Sequence, residues 1–120
     1  MKQPIDAVSI HPYFQVHPGK LDQAKALLPA FVQKTARESK NLYYGFSLNG
    51  DQIFCREAYV DAEGLLAHIE NVGPELEQML AIADVVRVEV HGPAVELAKL
   101  RGPLADLKPS WFAWWGGVSR

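Results

Sequence analysis

One cysteine, Cys55, stands in 120 residues. A single thiol excludes an intrachain disulfide, an iron–sulfur cluster held by several thiolates and a cysteine-built zinc site. An excess of charge is missing too: 12 Lys and Arg against 14 Asp and Glu leave a net charge of -2. That balance gives no electrostatic reason to bind nucleic acid or an anionic membrane. No apolar run approaches the ~20 residues of a membrane-spanning helix. The opening "MKQPIDAVSIHPYF" lacks the unbroken apolar core of a signal peptide, so the expected location is cytoplasmic. No HExxH, facial triad, P-loop or GxGxxG occurs, and His11, His17, His68 and His91 are dispersed. The expectation is therefore no metal and no nucleotide cofactor. With no repeat, linker or low-complexity segment, residues 1–120 read as one domain.

Alternation and helical spacing are well represented. "AVSIHPYFQV" (7–16) puts Val8, Ile10, Phe14 and Val16 on one side of a strand, with Pro12 marking an irregularity. Leu21, Ala24, Leu28, Phe31 and Val32 recur at helical spacing over about 20–38, with Pro29 expected to bend that helix. In "FSLNGDQIFCRE" (46–57), Asn49-Gly50 is the dipeptide of a two-residue type I′ turn. A turn there places Phe46 opposite Ile53, Tyr44 opposite Cys55, Tyr43 opposite Arg56 and Gly45 opposite Phe54. Asp61 reads as the N-cap of a helix carrying Leu65, Leu66 and Ile69, and Gly73-Pro74 restarts a helix with Leu76, Met79 and Leu80. "VVRVEVH" (85–91) alternates again. A short helix from Pro93 to Arg101 and the tail "PSWFAWWGGVSR" follow.

The order β-α-β-β-α-β predicts an α+β, ferredoxin-like antiparallel sheet with its first and third strands central, helices on one face, and a C-terminal helix and aromatic tail. The other face is left with Tyr13, Tyr43 and Phe54. An apolar sheet face of that size calls for a cover, and the simplest is the same face of a second copy, in an isologous homodimer.

Three stretches carry a family resemblance: "VHPGKLDQAKALLPAF" after the first strand, the aromatic hairpin strand, and "REAYVDAEGLLAHIENVG". Together they resemble the antibiotic biosynthesis monooxygenase superfamily over residues 5 to about 91, leaving 92–120 as an extension. The most specific element runs from the strand-end aromatic through Asp61, Ala62, Glu63, Leu65 and Ala67 to His68. The resemblance implies a dimeric α+β barrel with a cavity between sheet and helices in each subunit. It also implies, among several family chemistries, cofactor-independent oxygenation of a small aromatic, quinol-like substrate. A non-catalytic dimeric module binding a small molecule or partner is the alternative. In the haem-degrading branch a histidine ligates iron at the place that falls near Gln78 here, so haem degradation is not expected.

Strand parity puts Ile10, Pro12, Phe14, Tyr44, Phe46, Ile53, Cys55, Glu57 and Tyr59 on the side that the resemblance assigns to the cavity. Ile10, Pro12, Phe14 and Phe46 are the substrate-binding candidates. Tyr44, Glu57 and Tyr59 bring polar groups that need partners when buried. Tyr59, at the family's strand-end aromatic position, is either a stacking and hydrogen-bonding residue or a core tyrosine. Glu57 is either a general base with a pKa raised by burial or a partner of Arg56 or Arg87. His68 is the group expected to titrate near neutrality, catalytic or structural. Cys55 reads as small, buried and inert. The opposite face gathers Ser9, His11, Tyr13, Arg56, Arg87, Glu89 and His91, as a hydrogen-bonded network or a polar pocket. The Trp-rich tail is a lid, an arm to a partner or a loose end. An RNA-binding reading of "YYGFSL" fails, because the aromatics fall on the second strand without a leading basic residue.

Overall fold

Residues 6–119 are described in a computed structural model of the chain. Residues 1–5 and 120, the ends of the expected domain, lie outside the described residues. The elements run β1 (Val8–Val16), α1 (Leu21–Thr35), β2 (Asn41–Asn49), β3 (Gln52–Tyr59), α2 (Ala62–Asn71), α3 (Gly73–Leu80), β4 (Ala83–Gly92), α4 (Ala94–Leu100), a 3₁₀ turn (Ala105–Leu107) and β5 (Ser110–Ala113). The sheet order is β2-β3-β1-β4-β5. The first four strands are antiparallel with β1 and β3 inside, as the order of elements requires. The fifth strand is a departure. The tail pairs parallel to β4, Val90 beside Trp111 and His91 beside Phe112, and turns an antiparallel sheet into a mixed one. Among the described residues no helix is long and apolar enough to cross a membrane.

Pro12 has the anticipated effect. Pairing of β1 with β3 lapses between Ile10 and Tyr13, and the β1–β4 register shifts between Tyr13 and Phe14. The hairpin register requires a correction. Asn49 pairs with Gln52, so the two turn residues are Gly50 and Asp51 rather than Asn49 and Gly50. Gly50 has φ +58° and Asp51 has no positive φ, which suits a type II′ turn with glycine first rather than a type I′ turn. Phe46 therefore faces Cys55 and Tyr44 faces Glu57. The slip moves the pairing by two positions in all, so every side chain keeps the face that alternation gave it.

Two features fix α2, the helix that carries His68. Asp61 Oδ1 accepts from the Gly64 amide at 2.9 Å, and Glu96 of α4 accepts from the Ala62 amide at 2.9 Å. Both amides belong to the first turn, which has no intrahelical acceptor; loss of such a cap costs about 1 kcal/mol. Gly64 lets the helix approach β3, since a Cβ there would lie 2.8 Å from Lys40 Cβ and 3.3 Å from Tyr59 Cβ. With Gly64, Leu65 and His68 on one buried face, the i, i+3, i+4 spacing points His68 at the sheet.

The core has two lobes under one sheet face. One gathers Val8, Ile10, Tyr59, Leu65 and Val90 with Leu97, Leu100 and Leu104; the other gathers Phe14, Phe31, Ile53, Met79 and Ile82. The segment 97–104 is thus part of the core. Each fully buried leucine contributes about 1.5–3 kcal/mol, and Leu97, Leu100 and Leu104 close the end of the sheet over Tyr59.

Candidate active site

Between the two lobes lies a cavity of about 70 Å³, lined by Ile10, Pro12, Phe14, Phe31, Tyr44, Phe46, Cys55, Glu57, His68, Ile69, Val72, Leu76, Met79, Val85, Val88 and Leu107. All four substrate-binding candidates are among these, with Tyr44, Glu57 and His68. At ~10–15 Å³ per water, it has room for roughly five water-sized groups. A polycyclic ring does not enter without movement of the walls.

Two of the four candidate catalytic residues meet directly, and a third holds them. Glu57 reaches the buried face because it lies four residues beyond Ile53 on a strand whose alternate residues point inward. It is 4 % exposed, as is His68. The Tyr59 hydroxyl donates to Glu57 Oε1 at 2.6 Å, and His68 Nε2 lies 3.4 Å from the same oxygen. Burial pushes the Glu57 carboxyl up to about 7, while hydrogen bonds from Tyr59 and Cys55 pull it down and Glu38 pushes it up. His68 is lowered by burial, against a raising hydrogen bond and charge from Glu38. The acid and the base thus approach each other across a short gap.

Two expectations are corrected by this geometry. Glu57 is not the partner of Arg56 or Arg87, which point to the other face; Arg87 is paired with Glu89 there. Tyr59 does not line the cavity. Its ring is fully buried against His68, with centroids 5.1 Å apart, so it orients Glu57 from behind and offers no stacking surface to a ligand. Ile53 shares the face but packs in the core away from the cavity. Cys55 does line it, its thiol pushed well up by burial and by neighbouring Glu57, so the inert reading fits. Tyr44 lines the cavity too, its hydroxyl pushed up by burial and by Cys55 and Glu57. It remains a neutral donor. Gln78 is exposed, while Leu76 and Met79 of α3 turn toward the cavity.

One participant was missed. Glu38, in the loop between α1 and β2, accepts from His68 Nδ1 at 2.8 Å and from Asn71 Nδ2 at 2.9 Å. In "TARESKNL" it is a charged residue among polar ones and carries no signal of burial. Among the described residues no group of three His, Cys, Asp or Glu is arranged to hold a metal ion.

The opposite face carries a shallow groove of about 510 Å³ lined by Ser9, His11, Tyr43, His91, Phe112, Trp114 and Trp115, among others. Its polar groups are linked as a network. Ser9 Oγ and His11 Nε2 are 2.8 Å apart, His91 Nε2 and Glu89 Oε1 3.0 Å. His11 meets the His91 ring edge-on, and Phe112 stacks on His91 at 4.5 Å.

No protein-family model and no curated protein matches the chain. Solved structures do. MupZ from Pseudomonas fluorescens is 46% identical, with a TM-score of 0.91 over 95% of this chain and 94% of that one. An antibiotic biosynthesis monooxygenase is 18% identical with a TM-score of 0.63, over 69% of this chain and 94% of the other. A candidate antibiotic biosynthesis monooxygenase from Nitrosomonas europaea is 14% identical, with a TM-score of 0.67 over 78% of this chain and 94% of the other. The latter two share the fold alone, and the first shares the sequence as well. The chain belongs to the family of MupZ, and it shares its fold with antibiotic biosynthesis monooxygenases.

Proposed function

We propose that this protein is an acid–base enzyme in which Glu57, opposed by His68, moves a proton to or from a largely apolar substrate. The observation that carries this reading is a carboxyl raised to about 7 beside an imidazole nitrogen at 3.4 Å, at the wall of an apolar cavity. A group poised near the working pH is effective in both protonation states, and such groups contribute ~10²–10⁴-fold. The chain's own residues suffice for the proton step, with Tyr44 as donor to a developing oxyanion.

Within that class, the fold favours cofactor-independent oxygenation of a small aromatic, quinol-like substrate. Glu57 or His68 takes a proton from the phenolic hydroxyl, or from the CH₂ carbon of its keto tautomer, and the same delocalised carbanion results. The carbanion then adds O2, which acts as oxidant, and the resulting peroxide loses water to leave a carbonyl. One oxygen atom ends in the product and the other in water. The cavity volume favours single-ring substrates over polycyclic ones. Function as a dimeric binding module is the second reading, supported by the same cavity.

Oxygen uptake with a panel of single-ring hydroquinones, with anthrone-like compounds as the polycyclic comparison, with and without chelator, tests this. Turnover should persist with chelator and fall ~10²–10⁴-fold in Glu57→Gln. Turnover without oxygen consumption would replace oxygenation by a redox-neutral proton transfer. Binding without turnover across the panel would leave the module reading.

A further inference from the structure

We propose that Glu38 is the outer end of a proton relay that runs from the cavity through His68 to the surface, and so a positioning residue for the acid–base chemistry. The inference rests on the reading of Glu57 as the group that exchanges a proton with substrate. Glu57 is 4 % exposed, so a proton that is not returned to the substrate itself has to leave through a neighbouring group. His68 supplies the route. Its two ring nitrogens face two carboxylates, Nε2 toward Glu57 at 3.4 Å and Nδ1 toward Glu38 at 2.8 Å. The ring also meets the aromatic rings of Tyr44 and Tyr59, each with its centroid 5.1 Å away. Asn71 of α2 donates to the Glu38 oxygen that His68 uses. Cys55 and Thr35 stand behind, in contact with Glu57 and Tyr44.

Two details set the direction. Glu38 Oε2 receives both His68 and Asn71, whereas Oε1 is buried with no hydrogen-bond partner. A proton that leaves Nδ1 lands on Glu38 Oε2, the oxygen it already bonds, and Oε1 makes no hydrogen bond that the transfer would break. Its side chain is 11 % exposed, against 5 % for Glu57 and His68, and it lies in the loop after α1, so the chain of groups leads outward. In one transfer the Glu57 proton passes to His68 Nε2 while the Nδ1 proton passes to Glu38, which releases it to solvent. One proton crosses, and the imidazole is left in its other tautomer. The reverse transfer in the second half of a catalytic cycle restores it.

The test needs no substrate. In protein carrying ¹⁵N-labelled histidine, with His68 assigned by His68→Gln, the neutral ring should be the Nδ1–H tautomer held by Glu38. Glu38→Gln keeps an oxygen to accept from Nδ1 but loses the charge, and the His68 proton should be bound at least tenfold more weakly. Glu38→Asp should restore most of that loss. Thermal unfolding of Glu38→Gln within a few degrees of the wild type would separate the relay from a packing role. A neutral Nε2–H tautomer in the wild type, or an unchanged His68 titration in Glu38→Gln, would overturn the relay and leave the role of Glu57 to its own variant. If Glu38→Gln does not fold, the wild-type tautomer and the Glu38→Asp titration still decide.

Discussion

The two faces of the sheet use similar residues to opposite ends. Under the helices, a glutamate and a histidine are buried together, their polar atoms matched to a tyrosine, a second carboxylate and each other. On the open face, His11 and His91 stand beside Glu89 and Arg87 nearer to solvent, where His91 and Arg87 hold the Glu89 carboxyl below its usual range and each pair contributes on the order of 1 kcal/mol or less. The first face carries charge in a place where water cannot screen it, so its groups titrate far from their ordinary values. The second is wide, aromatic and wet. The proposed proton chemistry uses the first face, and the expected association uses the second.

That division predicts a large effect on assembly from a residue that leaves the cavity untouched. The open face, with Tyr13, Tyr43, Phe54 and now Phe112 of β5, is expected to be covered by a second copy. Light scattering at micromolar concentration should give about twice the 13.3 kDa chain mass. Phe54→Asp should leave a monomer, because it places an unpaired charge in the centre of the contact. A wild-type monomer would remove the pairing, though not the cavity.

On the covered face, Glu57 should make the fold sensitive to pH. Its folded pKa, raised from 4.5 to about 7, means that the native state holds the proton more tightly than the unfolded chain. The associated stability is fully present below pH 4.5 and is lost as pH rises through 7. The shift corresponds to on the order of 3 kcal/mol. Glu57→Gln should lack this dependence, so denaturant unfolding should show the variant gaining on the wild type between pH 4.5 and 8. His68, lowered by burial, acts in the opposite sense, and because it stands 3.4 Å from Glu57 its own titration is to be followed in both proteins. A constant difference across that range would place Glu57 in contact with water.

Sequence periodicity resolved these faces well, for a physical reason. Alternation depends only on parity, and a two-residue change of pairing preserves parity, so Tyr44, Phe46, Cys55 and Glu57 were placed on the correct side despite the wrong turn. Depth is not encoded in parity. Tyr59 and Tyr44 share a face, yet one is sealed behind Glu57 and the other lines the cavity, because Leu65 and α4 close over the end of β3. Glu38 was illegible because its burial depends on α2 arriving from thirty residues away. The tail strand was hidden as well. Four residues without alternating polarity do not read as a strand until β4 offers them an edge.

Tyr59→Phe should have a smaller, pH-dependent cost. The lost hydrogen bond at 2.6 Å stabilises the Glu57 carboxylate more than the acid, and bonds to charged groups contribute about 1.5–3 kcal/mol. The variant's deficit in unfolding free energy should be largest above pH 8 and shrink below pH 5. The Glu57 pKa should rise above its wild-type position, moving the pH profile of turnover to the alkaline side. A deficit independent of pH would mean that the hydroxyl only fills space.

The smallest effect is expected at Trp115, which is 95 % exposed. The Trp114 amide still donates to Gly92 of β4 at 2.7 Å, but the Trp115 ring beyond it covers little of its own chain. Trp115→Ala should therefore change the unfolding free energy of the monomeric Phe54→Asp protein by less than about 0.5 kcal/mol. In the wild-type background the ring lies at the mouth of the open-face groove. If a second copy covers that groove, the same substitution should weaken association while leaving the monomer unchanged, which dilution followed by light scattering will read. Equal behaviour in both backgrounds would put the end of the tail outside the contact and confine the interface to Phe112 and the strands beside it.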